Sequence, residues 1–262
     1  MYLIKRIEIK GLFHQYDLKW DLNPDVNILV GINGTGKSTI LRIINACLSK
    51  KTAYLQEQGI EIDIESENSN QFNFDYEFVS TFDVPLADKA KIGQSESPLD
   101  KELQKVIYTV GKEKQLSFSN YRFKATNYPE IAEKVNARIR AFFDLVNDFL
   151  KETGKIIDID RNSNDIIFHK DDLIISLDRL SSGEKQMLLI LFTVFLMDEK
   201  SYILLMDEPE ISLHIGWQQR LIDVIRQLNP NCQLIIATHS PSIFGKGWGD
   251  KLFFVKDLIQ GS

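Results

Sequence analysis

An eight-residue run, Gly31-Ile32-Asn33-Gly34-Thr35-Gly36-Lys37-Ser38, narrows the folds open to this chain more than any other feature. It fits G-x-x-x-x-G-K-[ST]. Before it stands Val26-Asn27-Ile28-Leu29-Val30, a short apolar run that reads as a strand. After it, Lys37 to about Ser49 carries Ile40, Leu41, Ile43, Ile44 and Leu48 with helical period. Strand, glycine-rich turn and helix in that order are the context of a phosphate loop. Glycines let the backbone wrap an anion, so that N–H groups of Asn33, Gly34, Thr35, Gly36, Lys37, Ser38 and Thr39 converge on it. The helix start adds its positive dipole end. Lys37 is expected to reach the β- and γ-phosphates of ATP, and Ser38 to ligate Mg²⁺.

A second constellation lies far downstream. Tyr202-Ile203-Leu204-Leu205-Met206-Asp207-Glu208 is an apolar strand that ends in two carboxylates. Asp207 is expected in the Mg²⁺ shell. Glu208 points elsewhere and would polarise the attacking water as general base.

Four motifs follow one another along the chain: the phosphate loop, Leu180-Ser181-Ser182-Gly183-Glu184-Lys185, Leu205-Met206-Asp207-Glu208-Pro209 and Ala237-Thr238-His239-Ser240-Pro241. In this order they resemble an ABC-type ATPase head of the SMC/RecF/OLD kind. The nearest likeness within that group is to the small stand-alone bacterial ATPases, many of them from antiphage-defence or DNA-maintenance operons. The resemblance is anchored over Met1 to about Asn45 and from Leu177 onward. It implies that Ser181, Ser182 and Gly183 contact, in trans, the nucleotide on a second subunit, with ATP joining a homodimer. It also implies that Pro209 to His214 runs along the dimer interface and that His239 senses the γ-phosphate. Ser182 stands where the family usually has glycine, a small change provided the backbone there is not left-handed. For the family's glutamine loop, Gln71 and Gln104 both fit by position, and the role stays open.

The fold expected is α/β: a phosphate-loop NTPase head with a mixed central sheet, an antiparallel β-subdomain and a helical insert. One domain over 1–262 would comprise an N-terminal lobe (1–85), the insert (86–155) and a C-terminal lobe (156–262). Strands are predicted near Leu3 to Ile9, broken at Gly11, and at 16–22, 60–64, 72–79, 156–159, 166–168, 173–175, 202–206, 233–237 and 251–255. Helices are predicted at 37–49, 128–152, 183–198 and 216–228. Residues 88–128 carry little periodicity. The longest apolar run, Met187 to Met197, is interrupted by Thr193 and is too short for a membrane span. With no signal-peptide apolar region, the chain is expected in the cytoplasm.

Net charge is −6, which argues against a generally basic nucleic-acid surface. The segment 86–155 nevertheless carries 13 basic against 10 acidic residues, so DNA is a candidate ligand of the insert. Cys47 and Cys232 read as buried thiols. His14, in a loop where related heads approach adenine, reads as a surface residue. His169 and His214 lack metal spacing. The chain shows no separate nuclease constellation, and the nuclease domain that OLD-type proteins carry after the histidine motif is expected to be missing. The function expected is therefore regulatory: ATP hydrolysis coupled to head-to-head dimerisation, read by an effector encoded beside it, a nuclease first. The alternative is the nucleotide-binding subunit of an ABC transporter. Against it stand the strongly apolar helix after Lys185 and the long interval between Lys37 and Ser181.

Overall fold

The computed structural model describes residues 3–66, 75–80, 97–108 and 117–261. In chain order its elements are β1 (Ile4–Leu12), β2 (Tyr16–Asp21), β3 (Val26–Val30), α1 (Lys37–Leu48), α2 (Ala53–Glu57), β4 (Glu61–Ser66) and β5 (Tyr76–Ser80). Then come α3 (Pro98–Tyr108), α4 (Phe118–Asn127), α5 (Ala132–Leu150), β6 (Ile156–Ile159), β7 (Ile166–Lys170), β8 (Leu173–Ser176) and α6 (Ser182–Leu196). The chain ends with β9 (Tyr202–Asp207), α7 (Ile215–Gln218), α8 (Leu221–Leu228), β10 (Cys232–Thr238), α9 (Pro241–Phe244), β11 (Leu252–Phe254), α10 (Val255–Leu258) and β12 (Ile259–Gly261). These elements fall into two compact units. The first comprises Met1–Thr81, Glu199–Ile211 and Gln218–Ser262; the second comprises Phe82–Asp198 and Ser212–Trp217.

Two sheets build the first unit. The five-stranded sheet has the order β11-β3-β10-β9-β5, and every pairing in it is parallel. Its central strands are mostly apolar because both faces are covered: β3 and β10 are buried at every position, with Asn27, Gln233 and Thr238 their polar residues. The four-stranded sheet, β12-β2-β1-β4, is antiparallel. Parallel and antiparallel pairing are thus both present, as expected, each in its own sheet.

β1 alternates buried and outward residues. It runs through Gly11, where a break was predicted. Gly11 takes φ +72°, and a side chain there would meet the Gly59 carbonyl at 2.4 Å, so glycine lets the strand bulge and continue. α1 lies against β9, β10 and β4. Ile7, Ile9, Trp20, Ile40, Leu41, Ile44, Ile64, Leu205 and Ile235 close one core around it. Gln233, buried in β10, binds both the N–H and the carbonyl of Ile4 and so ties the parallel sheet to β1.

α6 is the spine of the second unit. It is buried from Gly183 to Leu196 and, beyond Gln186, apolar on every face but for Thr193. Phe192 and Phe195 meet Phe118 of α4 and Phe142 of α5, with ring centroids 4.5 to 5.8 Å apart. The long helix predicted over 128–152 is α5, and Val135, Ile139, Phe142, Val146, Phe149 and Leu150 are its buried stripe. Ile131, assigned to that stripe from periodicity, precedes the helix and is exposed. A separate antiparallel sheet, β6-β7-β8, completes the unit.

Several elements went unpredicted. α3 buries only Leu99, Leu103 and Ile107, and α4 only Phe118 and Tyr121, so neither has a wide apolar stripe. The helix predicted over 216–228 is two helices, and the break falls beside Gln218, whose amide binds the Glu210 carbonyl and the Ser240 hydroxyl. The strand expected to close the chain is β11, followed by α10 and by β12, which pairs with β2. Gln71 and positions 72–74 lie outside the described residues. Gln104 lies in α3, half-buried.

Candidate functional site

Parallel pairing brings the carboxyl ends of three strands side by side in the first unit. Thr238 of β10 stands opposite Val30 of β3, and Ala237 stands opposite Asp207 of β9. Loops leaving those ends therefore meet at one edge of the sheet, where open α/β sheets place ligands. The loop after β3 is held in a cradle by its own backbone. Gly34 and Gly36 take φ +83° and +94°, which a side chain would resist, and the Thr35 hydroxyl donates to the Ile32 carbonyl at 2.9 Å. Lys37 is 4% exposed, and its ammonium donates to the carbonyls of Gly31 and Ile32 at 2.9 and 3.3 Å. Its charge is thereby held over the loop.

Ser38 donates its hydroxyl to Asp207 Oδ1 at 2.8 Å. Asp207 is buried, and burial pushes its carboxyl above the usual range. Glu208 adds to the rise, while the Ser38 bond, Arg42 and Lys37 oppose it. Two hard oxygen donors in contact beside an anion-shaped loop fit Mg²⁺. Glu208 sits at φ +48°, unusual for a residue with a side chain, and donates its N–H to the Ala237 carbonyl at 2.8 Å. That conformation turns the carboxylate away from the strand, towards a cavity of about 330 Å³ lined by Asn33, Gly34, Gly36–Thr39 and Phe13.

His239 follows β10. Its Nδ1 lies 3.5 Å from Glu208 Oε1 and 3.4 Å from Glu210 Oε1. A second cavity, about 740 Å³, is lined by His239, by Val30–Asn33 and Thr35, and by Phe244, Phe254, Val255 and Lys256. The smaller cavity is the one that suits phosphate, because Lys37, Ser38 and the loop N–H groups face it.

Asn33, Gly34, Thr35, Gly36, Lys37, Ser38, Thr39, Asp207, Glu208 and His239 thus share the first unit; Ser181, Ser182 and Gly183 belong to the second. Ser181 caps α6: its hydroxyl accepts from the Glu184 N–H, and Glu184 Oε2 accepts from the Ser181 N–H at 2.9 Å. Ser181 and Ser182 are exposed, and Ser182 is the first helical residue, with no left-handed backbone. Gly183 is buried. A Cβ on it would fall 2.3 Å from the Ser212 carbonyl oxygen, so only glycine allows this approach. Behind the cap, Glu184 pairs with Lys155, and Lys185 pairs with Asp100 at 2.6 Å.

Two residues of the site escaped the reading of the motifs. Phe13, not His14, lines the smaller cavity, and its ring lies so close to Gly36 that a Cβ there would be 2.5 Å away. His14 is exposed. Glu210 is the other; its only signal in sequence was a third acid two residues after Glu208. Cys232 is buried and its thiol is pushed up to about 12 by burial, and Cys47 is shifted the same way. Among the described residues, no helix is long and apolar enough to cross a membrane.

Fold and site together define a phosphate-loop NTPase head of the ABC type, of the SMC/RecF/OLD kind. The chain belongs to the family described as "AAA domain, putative AbiEii toxin, Type IV TA system", whose model matches residues 107–245; a model described as "AAA ATPase domain" matches residues 1–130. It is similar to the Septu protein PtuA of Bacillus thuringiensis, 23% identical over 92% of this chain and 72% of that protein. The "Retron Ec83 probable ATPase" of Escherichia coli is 25% identical over 59% of this chain, which spans only 32% of that protein. A "Phosphate import ATP-binding protein PstB 2" of Streptococcus mutans is 25% identical over 99% of this chain and 80% of its own length. Among solved structures, an SmcHead bound to the C-winged helix domain of ScpA superposes with a TM-score of 0.57 at 14% identity, covering 93% of this chain and 91% of that one. That likeness concerns the fold.

Proposed function

We propose that residues 1–262 act as one ATPase head that binds ATP with Mg²⁺, dimerises head to head around it and hydrolyses it, in the cytoplasm, on behalf of a partner effector. The observation that carries the reading is the meeting of Lys37, the Ser38–Asp207 pair, Glu208 and His239 at the carboxyl ends of three adjacent parallel strands. Asn33 to Thr39 cradle the phosphates with backbone N–H groups, and Lys37 turns from its own carbonyls to the β- and γ-oxygens. Ser38 and Asp207 hold Mg²⁺, which neutralises charge on the phosphates when bound. Glu208 accepts the proton of the attacking water, and His239 orients the γ-phosphate. Ser181, Ser182 and Gly183 reach the nucleotide held by the second copy, with the start of α6 aimed at it.

Linkage supplies the output. ATP that binds the closed dimer more tightly than the monomer shifts the population towards the dimer, and hydrolysis reverses the shift. The similarity to the Septu and retron proteins supports a partner effector, a nuclease first, in antiphage defence or DNA repair, and the excess of basic residues in 86–155 makes DNA a candidate ligand of that segment. The phosphate-import similarity favours a second reading, a transporter subunit. Against that reading, α6 is apolar from Met187 to Leu196 apart from Thr193, and Lys37 and Ser181 lie farther apart than transporter subunits place them.

Glu208→Gln tests the core of the proposal: with ATP and Mg²⁺ it should elute as a stable dimer and hydrolyse at least about 100-fold more slowly than wild type. A variant that stays monomeric with ATP would count against the sandwich. Copurification from the native host separates the roles, since a membrane permease would select the transporter and a soluble nuclease the effector.

A further inference from the structure

Glu210 lies two residues beyond Glu208, and only 5% of its surface is exposed. A single oxygen, Oε1, does all its work. It accepts from the Thr238 hydroxyl at 2.5 Å and from the His239 N–H at 3.1 Å, and it stands 3.4 Å from His239 Nδ1. The other oxygen, Oε2, is buried with no hydrogen-bond partner. The main chain of Glu210 reaches the same segment, because its carbonyl accepts from Gln218, whose amide oxygen accepts from the Ser240 hydroxyl.

A buried carboxylate with one orphan oxygen is a costly anchor. A neutral side chain of similar shape could accept from Thr238 and from the His239 N–H at lower cost. What such a group could not supply is a negative charge beside the imidazole. Orphan polar atoms of this kind call for a functional reason.

We infer that Glu210 is a positioning residue for His239, an inference that rests on the ATPase reading above. It fixes Nδ1 as the ring nitrogen that carries the proton, donated towards the Glu208 and Glu210 carboxylates. That leaves Nε2 as an acceptor, on a residue that lines the larger cavity beside Gly31–Asn33, where it takes a hydrogen bond from water and meets phosphate through that water. Its bonds to Thr238 and to the His239 N–H hold the backbone from which the ring projects. The acid next to the strand end is the base, and the acid two residues later sets the histidine that works beside it.

Two measurements on the full chain test this. In protein labelled with ¹⁵N-histidine, His239, assigned by the signal lost in His239→Gln, should be the Nδ1–H tautomer at pH 8. Glu210→Ala should convert it to Nε2–H. An Nε2–H tautomer in wild type overturns the inference and needs no variant to fold. So does an Nδ1–H tautomer that survives in folded Glu210→Ala, which would give the role to Glu208 alone.

The second measurement is kinetic. Glu210→Ala should lower kcat by about 10- to 100-fold with KM for ATP unchanged, as loss of an orienting partner does. In a His239→Ala background it should add less than about twofold. Equal losses in both backgrounds would make Glu210 merely structural and overturn its action through His239. If no ATP is hydrolysed but the tautomer responds to Glu210, the ATPase reading fails and the positioning of His239 stands.

Discussion

Asp207 carries a conflict between stability and function. Its native pKa is raised, chiefly by burial, above the unfolded value of about 3.9. A carboxyl of that kind stabilises the fold in its protonated form. The contribution is complete below the unfolded value and is lost as pH rises through the native one. Near neutral pH an ionised Asp207 is therefore a burden until a cation meets it. Asp207→Asn should raise the melting temperature by about 2–4 °C at pH 7.5 without Mg²⁺ and abolish Mg²⁺-dependent hydrolysis. A melting temperature at or below wild type would refute this account. Gly183 offers a second test. A methyl there would press on a backbone oxygen that cannot swing aside, so Gly183→Ala should cost on the order of 1–3 kcal/mol, read from the urea midpoint. An unchanged midpoint would mean that the Ser212 backbone yields freely.

At the scale of elements, α6 depends on polar contacts at its start more than its apolar sequence suggests. Burial pushes the Glu184 carboxyl up, but bonds from Lys155 and Ser181 outweigh it and leave the pKa lowered. Its stabilisation is therefore present above the unfolded pKa and is lost as pH falls through the lower native value. Lys155→Met strands a carboxylate only 2% exposed and should cost about 3–5 kcal/mol in chemical denaturation. Adding Glu184→Leu should return most of that loss, and failure to do so would show that Lys155 stabilises by something other than the pair. The helix itself was legible in sequence from its long apolar run, Met187 to Met197, and fourteen of its residues, Gly183 to Leu196, are buried. α3 and α4 were not. They bury three and two apolar residues, and their place against α6 comes from packing that a polar surface does not advertise.

For the whole molecule, the sandwich proposal makes activity depend on meeting a second copy. Specific ATPase activity should rise with protein concentration and level off once the dimer is populated. A rate proportional to protein from the lowest concentration upward would exclude assembly as the limiting step. Ser181→Arg should abolish turnover, because Ser181 is exposed at the start of α6 and would face the partner's nucleotide. A fluorescent ATP analogue should still bind the isolated Ser181→Arg monomer with unchanged Kd. Lost binding would place Ser181 at the nucleotide of its own subunit.

Sequence alone determined the parts whose cause is local. Two glycines in the loop, a following amphipathic helix and runs of apolar residues act over one or two turns, and they declared the phosphate loop, α1, β3, β9 and β10. Tertiary structure alone decided which side chains touch. Ser38 meets Asp207 across 169 residues, Thr238 meets Glu210 across 28, and Gly183 meets the Ser212 carbonyl. The roles of Phe13 and Glu210 emerged in the same way. Such contacts follow from strand order and close packing, which sum interactions over the whole chain. The motif set the chemistry at each position, and the parallel sheet set the distances between them.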